Sequence, residues 1–310
     1  MELHPLAKAA FLVMNDIGFD NDVQIILNSL LPVLPWDCFG KSIEELQVKE
    51  KAEQAINKIE NDLKPWLDST SGIAWLPVMC SAMYGTEQRL LSAGVQKNIL
   101  IDTFRALKRF SEEYHKDFGE WGFDRQYWSW RQCCGCLLRI GTLEYEQRSV
   151  REEDANIHGL NKGDMVLSVH IPSDACLNRD SLNESFNLAC EFYEQFWDIT
   201  YPGSAKPKTI VCTSWLLSPK LVSLLNEDSG IRCFSRYFSI LKSESQSQDY
   251  IIWLFGANAD KNNLPEKTSL QRKVKQRIKQ NEGIGTGTGE LIYPYNTICD
   301  VYDEGGSVDV

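Results

Sequence analysis

The chain has 310 residues, of which 43% are hydrophobic and 24% charged, and this composition excludes a largely disordered protein. It carries 32 lysines and arginines against 43 aspartates and glutamates, so the formal net charge of −11 gives little support to nucleic-acid binding through phosphates. Ten cysteines are too dilute for a disulfide scaffold, and no uncharged stretch is long enough to cross a membrane. With no targeting signal at the start of the sequence, we expect a cytoplasmic protein of about two domains that binds neither membrane nor nucleic acid.

The first half of the chain is predicted to be helical. Ser42–Glu45 has the Ser-x-x-Glu pattern of a capping box that begins a surface helix over 42–63, which Pro65 ends. Apolar residues at spacings of three and four predict one long helix over 98–118. Another apolar helix is predicted over 123–138.

The pattern changes near Gly141 to strands that alternate with helices. Met165–Ile171 alternates between apolar and more polar residues, which predicts a strand with His170 on its polar face. The later predicted elements are a helix over 182–196, a strand over 209–215, a short helix from 218, strands over 233–241 and 250–255, a polar turn at 243–249, a helix over 270–280 and a short strand over 291–295. This order predicts a mixed sheet with helices on its faces, and a division into residues 1–135 and 136–310.

Four sequence blocks resemble the signature blocks of one bacterial family of acyltransferase-domain-containing proteins. The blocks are Leu138–Glu146, His170–Ser173, Cys212–Pro219 and Thr268–Arg272. The resemblance implies an α+β fold, in which an all-helical N-acyltransferase N-terminal domain precedes a GNAT-like α/β domain with a mixed, mostly antiparallel sheet. It also implies transfer of an acyl group from acyl-CoA or acetyl-CoA to a small-molecule amine acceptor bound at the domain interface.

The GNAT scheme assigns parts to the cofactor site. The central strand 165–171 would offer backbone groups, including those of Ile171, to the pantetheine arm of acyl-CoA. Ser173, Ser181 and Asn183 would contact the pyrophosphate where the next helix begins, because a helix N-terminus favours anions.

The loop 173–181 lacks the glycines of the superfamily motif Gln/Arg-x-x-Gly-x-Gly/Ala. The alternative is an ordinary helix start, capped by Asn178 or by a capping box of Ser181 and Glu184.

A literal match to that motif occurs later, at Gln280–Gly285. Gly283 and Gly285 are therefore a second candidate for ligand binding, although the match follows a helix instead of opening one. Just before it, Arg272 begins a run of basic residues on a predicted helix. Arg272 could dock the nucleotide end of CoA, and the favoured alternative is a solvated helix face.

Three residues are candidates for the chemistry. His170 could act as the general base that deprotonates the amine, or it could simply bond to a backbone carbonyl. Cys212 and Ser214 share a face of the next strand and could donate a proton to the leaving thiolate, against the alternative of small-residue packing. Cys133–Cys136 includes a Cys-x-x-Cys spacing without a second pair, so we expect no metal.

The sequence leaves three classes of function open. The first is an acyl-CoA-dependent N-acyltransferase, and this assignment depends on fold-level analogy. The second is a non-catalytic binding or regulatory protein on a GNAT-like scaffold, for which the missing glycine loop is the main argument. The third is a hydrolase or transferase with Cys212 as covalent nucleophile, which would be inactivated by iodoacetamide.

Overall fold

The computed structural model describes residues 2–152, 160–257, 259–260 and 262–292. The described residues form two compact units. The first unit holds the chain up to Ile140 together with Ala189–Ser204, and the second holds Gly141–Leu188 and the described residues from Ala205 onward.

The first unit is built mainly from helices. They are α1 Pro5–Ile17, α2 Asn21–Leu30, α3 Trp36–Leu46, α4 Lys49–Leu67, α5 Trp75–Ser92, α6 Lys97–Phe104, α7 Ala106–Phe118 and α8 Gln126–Cys134, followed by strand β1 Leu137–Ile140. Helix α5 is buried on nearly all sides, from Trp75 to Leu90, which is typical of a central core helix. Thr86 of α5 donates its hydroxyl hydrogen to the carbonyl of Cys133, which ties α5 to α8.

The segment Ala189–Ser204 completes this first unit. Arg89 of α5 donates to the carbonyl of Ile199 at 3.1 Å and to the carbonyl of Cys134 at 2.9 Å. Tyr201 donates its hydroxyl hydrogen to Glu50, and Lys49 lies 4.3 Å from the centroid of the Tyr201 ring. These contacts attach the segment to both α4 and α5.

Helix boundaries in the first unit differ from those predicted. Ser42 does not begin a helix, because it lies inside α3. The predicted helix is interrupted after α3, where Val48 adopts an extended conformation before α4 begins. Pro65 lies within α4, which ends two residues later. The predicted helix 98–118 is divided at Arg105 into α6 and α7. The predicted helix 123–138 ends at Gly135, whose φ of 76° is left-handed, so that β1 can follow.

The second unit contains most of the sheet. Its elements are β2 Leu143–Ser149, β3 Met165–His170, α9 Arg179–Thr200 (which continues into the first unit), β4 Ile210–Ser214, a 3-10 turn Trp215–Leu217, α10 Pro219–Val222, α11 Gly230–Ser235, β5 Phe238–Glu244, α12 Tyr250–Phe255, α13 Ser269–Lys279 and β6 Thr286–Leu291. The strand order is β1-β2-β3-β4-β6-β5. Strands β3 and β4 are parallel, whereas β2/β3, β4/β6 and β5/β6 are antiparallel. The expected mixed, mostly antiparallel sheet after a helical region is confirmed.

One predicted strand of the second unit was wrong, and another was right only in its last residues. Residues 250–255 form helix α12, in which Tyr250 and Phe255 are buried while Trp253 is exposed. An apolar run of six residues cannot distinguish a strand from a short helix, and here packing decides. Residues 233–241 contain the end of α11 and the start of β5. The predicted strand 291–295 is represented only by the end of β6 at Leu291, and 293–295 lie outside the described residues.

The start of α13 agrees with its sequence pattern. The Thr268 hydroxyl accepts a hydrogen bond from the Gln271 backbone N–H at 3.1 Å, and the Gln271 side chain accepts one from the Thr268 N–H at 3.2 Å. This reciprocal capping box explains both residues without a ligand.

As to length and hydropathy, none of the helices within the described ranges could cross a membrane.

Candidate functional site

The parallel strands β3 and β4 lie side by side only near their amino-terminal ends. In the register, Leu167 is paired with Ile210 and Ser168 with Val211. Both strands are fully described, and beyond Ser168 and Val211 no further residues of β3 and β4 are paired. On the other side of β3, pairing with β2 continues as far as His170. The sheet therefore opens between the carboxyl ends of β3 and β4, which is where open α/β sheets bind ligands.

Helix α9 begins directly after the loop that follows β3. Asn178 caps it, because its Oδ1 accepts a hydrogen bond from the Ser181 N–H at 2.8 Å and its carbonyl accepts one from the Leu182 N–H at 3.1 Å. Asn178 is one of the two caps predicted from the sequence. Ser173 is exposed and Ser181 half-buried at this helix start, so both are accessible to an anion.

Asn183 lies further along α9. Its Oδ1 accepts a hydrogen bond from the Tyr237 hydroxyl at 2.7 Å. This bond gives Asn183 a structural role in the second unit, and a contact of Asn183 with a cofactor stays a prediction.

One apolar cluster holds the elements around the opening together, and we refer to it as the end cluster. It consists of Leu216, Leu221, Tyr250, Ile251, Phe255, Leu264, Val274 and Ile284. Ile171 and Leu177, from the loop after β3, pack against it. The loop before α9, the turn after β4 and helix α13 therefore share one core.

His170 lies at the carboxyl end of β3. Its Nε2 is 2.9 Å from Oε2 of Glu146 on β2, and Glu146 is only 6% exposed whereas His170 is half-buried. The register pairs Glu144 with His170 and Glu146 with Ser168, so His170 and both glutamates project from the same face of the sheet. This confirms the predicted polar face. The partner Glu146 was missed, because a cross-strand contact depends on register.

Cys212 and Ser214 lie on β4 as predicted, but in different environments. Cys212 is fully buried, and burial raises the pKa of its thiol far above the usual range. A thiol in this state is not an accessible nucleophile, so the structure favours the packing alternative. Ser214 is half-buried at the end of β4, and its Oγ accepts a hydrogen bond from the Leu216 N–H at 3.2 Å. Its hydroxyl hydrogen can still be donated.

Cys176 is an exposed thiol that the sequence reasoning did not single out. It precedes the cap of α9, and Asn178 Nδ2 lies 3.1 Å from its Sγ. Hydrogen bonds from the Ser181 side chain and from Asn178 lower the pKa of Cys176. The signal available in the sequence was its position just before a predicted helix, where a thiolate is favoured.

The glycine-rich run Gly283–Gly289, with a glycine at every second position, forms the approach to β6 and most of that strand. Gly285 has a φ of 75°, and a Cβ there would overlap the Glu244 carbonyl. A Cβ at Gly287 would overlap the Leu217 carbonyl. These glycines allow close packing of protein backbone, which explains them without a ligand.

A cavity of about 260 Å³ borders Gly283. It is lined by polar side chains of 245–248, by Asn281 and Glu282, and by the apolar side chains of Ile251, Leu264 and Ile278. No lysine or arginine is among these lining residues, and Glu282 adds negative charge. The cavity is therefore poorly suited to a pyrophosphate, and ligand binding by Gly283 and Gly285 stays a prediction.

The basic side chains of α13 have partners close by. Arg272 donates to the carbonyl of Glu266 at 2.9 Å, Lys275 pairs with the Glu266 carboxylate at 2.7 Å, and Arg277 pairs with Glu282 at 2.7 Å. The hydrogen bond from Lys275 lowers the pKa of Glu266. These contacts account for the three basic side chains without a ligand, and docking of the nucleotide end of CoA by Arg272 stays a prediction.

The described part of the chain contains neither a candidate metal site nor a disulfide. Within those residues no group of three or more histidine, cysteine or acidic side chains could hold a metal ion, and no disulfide joins the described cysteines. Burial raises the pKa of Cys133, the first residue of the Cys-x-x-Cys segment.

Comparison with known proteins gives two family matches. Residues 14–135 match the model of the N-acyltransferase N-terminal domain, and residues 137–291 match that of the GNAT-like C-terminal domain. No curated protein matches the chain.

Solved acyltransferase structures share the fold. A crystal structure of an acyltransferase in complex with decanoyl-CoA and teicoplanin has a TM-score of 0.69 and 18% identity, covering 92% of this chain and 88% of that one. A mutant acyltransferase in complex with octanoyl-CoA has a TM-score of 0.70 and 18% identity, covering 94% and 90%. The family matches and the shared fold confirm the resemblance carried by the four sequence blocks. This chain belongs to the family in which an N-acyltransferase N-terminal domain is followed by a GNAT-like C-terminal domain.

Proposed function

We propose that the protein transfers the acyl group of an acyl-CoA to the amine of a small-molecule acceptor. The observation that carries the proposal is the opening between β3 and β4, with His170 at the carboxyl end of β3. The family to which the chain belongs supports it. The solved acyltransferases of the same fold contain decanoyl-CoA or octanoyl-CoA, which favours a medium-chain acyl donor here as well.

The donor would lie along the opening. Backbone groups of Ile171 would bind the pantetheine arm beyond the last β3–β4 pair. The start of α9 would hold the pyrophosphate, because the first N–H groups of a helix and its dipole attract anions, and Ser173 and Ser181 would add hydroxyl donors.

The reaction needs a base for the amine and an acid for the thiolate. His170 takes a proton from the attacking amine nitrogen as the new C–N bond forms. The C–S bond of the thioester then breaks, and the departing thiolate takes a proton from the hydroxyl of Ser214, which borders the opening on the opposite face of the sheet from His170. The Ser214 alkoxide regains a proton through solvent from the histidinium. The products are an amide and CoA with a free thiol. Backbone N–H groups in the opening would stabilise the tetrahedral oxyanion.

The first experiment measures thermal stability with CoA, acetyl-CoA, octanoyl-CoA and decanoyl-CoA. A ligand present at 100 times its dissociation constant stabilises the native state by about 2.7 kcal/mol, so binding is visible as a higher melting temperature. We expect the acyl-CoAs to raise it in a saturable way. The absence of any shift would overturn the proposal.

The second experiment detects released CoA thiol when acyl-CoA is mixed with a panel of small amines. We expect release that depends on the amine and falls strongly in His170→Gln. The matched control is His115→Gln, because His115 lies on α7, where it stacks on Trp121. A melting shift without thiol release for any amine would favour the non-catalytic binding protein.

A further inference from the structure

We propose that Glu146 is a positioning residue of this reaction, which orients the His170 ring and stabilises its protonated form. The inference depends on the proposed function, since it assigns Glu146 a role through the base. No part of the sequence patterns suggests this pairing, because it follows only from the register of β2 against β3.

The geometry fixes the pair tightly. Glu146 is paired in register with Ser168, so it lies diagonally from His170 on the same face, within reach of a long side chain. The Oε2–Nε2 distance is 2.9 Å, which is a charge-assisted hydrogen bond when the carboxylate is ionised. Because Glu146 is buried and sits on a paired strand, the carboxylate provides a fixed point to which the more exposed imidazole is bound.

The protonation of the His170 ring follows from the hydrogen bond to Glu146. An ionised carboxylate only accepts hydrogen bonds, so Nε2 must carry the proton and donate it. The lone pair of the neutral ring is then on Nδ1, which is the nitrogen that takes the proton of the amine. After the transfer, the imidazolium lies beside a negative charge, which stabilises it as the carboxylate does in other carboxylate–histidine pairs.

Other charged groups share this face of the sheet. Glu144 is directly opposite His170, and Arg148 is opposite Val166, four residues before His170 on β3. On β4 the neighbouring position of that face carries the uncharged Thr213. Any effect of Glu146 must therefore be measured against the contributions of Glu144 and Arg148, which remain unchanged in the variants below.

The test uses Glu146→Gln, which keeps the size of the side chain and removes its charge. We expect kcat to fall about 100-fold, as for other residues that orient a functional histidine, with the KM for acyl-CoA within about twofold of the wild type. The acid limb of the rate–pH profile should move to lower pH by on the order of one pH unit, because the imidazolium loses its negative partner. Glu146→Asp, which restores the charge with a shorter reach, should recover part of kcat.

The matched control is Glu290→Gln. Glu290 is on the same face and the same row of the sheet, through the pairs Glu146–Ser168, Ser168–Val211 and Val211–Glu290. It lies three strand spacings away, about 14 Å. We expect wild-type kcat and pH profile in this variant.

An NMR titration of the histidine ring separates the two proposals. It follows the His170 signal, assigned by its loss in His170→Gln, without any substrate. The midpoint should move to lower pH in Glu146→Gln and stay in place in Glu290→Gln. If the wild-type protein transfers no acyl group, the proposed function fails while the titration still decides the pairing. An unchanged midpoint in folded Glu146→Gln and Glu146→Asp, or an unchanged kcat, overturns the role of Glu146.

Discussion

Two segments of the second unit each have part of what a phosphate-binding loop requires. The loop 173–181 contains no glycine, yet it follows a strand, precedes the 22-residue helix α9 and begins that helix with exposed donors. Gln280–Gly285 matches the motif letter by letter, yet it follows helix α13 and leads into β6, an inner strand of the sheet.

The difference shows that a binding motif is defined by its place in the fold. Glycine is required wherever a backbone must approach another group closely, and that group can be protein as well as phosphate. In the glycine run the close neighbours are the Glu244 and Leu217 carbonyls. In the loop before α9, the useful groups are the backbone N–H donors of a helix start, which need no particular side chain.

The largest expected effect comes from Gly287→Ala. The added methyl group would overlap the Leu217 carbonyl inside the sheet, so we expect a loss of about 3 kcal/mol in the free energy of unfolding, measured by denaturant titration. The control is Gly40→Ala on α3, where nothing lies within 4 Å, and it should stabilise slightly, by about 0.5–1 kcal/mol. Equal effects of the two variants would remove the packing explanation of the run.

A smaller effect is expected from Asn178→Ala, which removes the cap of α9. Loss of an N-cap side chain costs about 1 kcal/mol. The matched control is Asn187→Ala, an exposed position within the same helix, where alanine should be neutral or slightly stabilising. If acyl-CoA binds at this helix start, the melting shift it causes should also shrink in Asn178→Ala alone.

The third prediction concerns the reactivity of Cys176. Its lowered pKa means that a larger fraction is thiolate at neutral pH, so iodoacetamide should label it faster than the exposed Cys38. The pH at which labelling is half-maximal should lie below 9.0, the ordinary value for a thiol. Mass spectrometry of digests after short exposure measures both rates. Saturating acyl-CoA should slow the labelling of Cys176, and equal slowing at Cys38 would speak against a site at α9.

The smallest effect is expected from Arg272→Gln on α13. Its guanidinium donates an exposed hydrogen bond to the carbonyl of Glu266, so the free energy of unfolding should change by less than about 0.5 kcal/mol. The melting shift caused by acyl-CoA should also stay unchanged. A shift reduced in Arg272→Gln, with Lys279→Gln as control, would instead support docking of the nucleotide end of CoA on this helix.

Sequence reasoning succeeded where one local pattern was sufficient. The strand predicted from the alternation of Met165–Ile171, the helix predicted over 182–196 and the Thr268–Gln271 capping pattern each depend on neighbouring residues alone, and all three are present. It failed at Ser42, whose capping pattern was outweighed by the continuity of α3, and at 250–255, where burial in the end cluster selects a helix.

Long-range pairing limited the prediction of the site. His170 could be named from one strand, because its chemistry and its position at a strand end are local properties. Glu146 could not, because its distance from His170 is set by how β2 is aligned with β3, across a connection of more than a dozen residues. A shift of register by one residue would place the carboxylate on the opposite face.

Helix α9 has a further consequence for how the protein is made. Its last residues, with the segment to Ser204, belong to the first unit and bond to Arg89 and Glu50 there. During synthesis from the N-terminus, the helices α1 to α8 are made first, and their packing is complete only after β2, β3 and the segment Ala189–Ser204 have been made. A fragment that ends at residue 140 would lack Ala189–Ser204, so the packing of the first unit would stay incomplete.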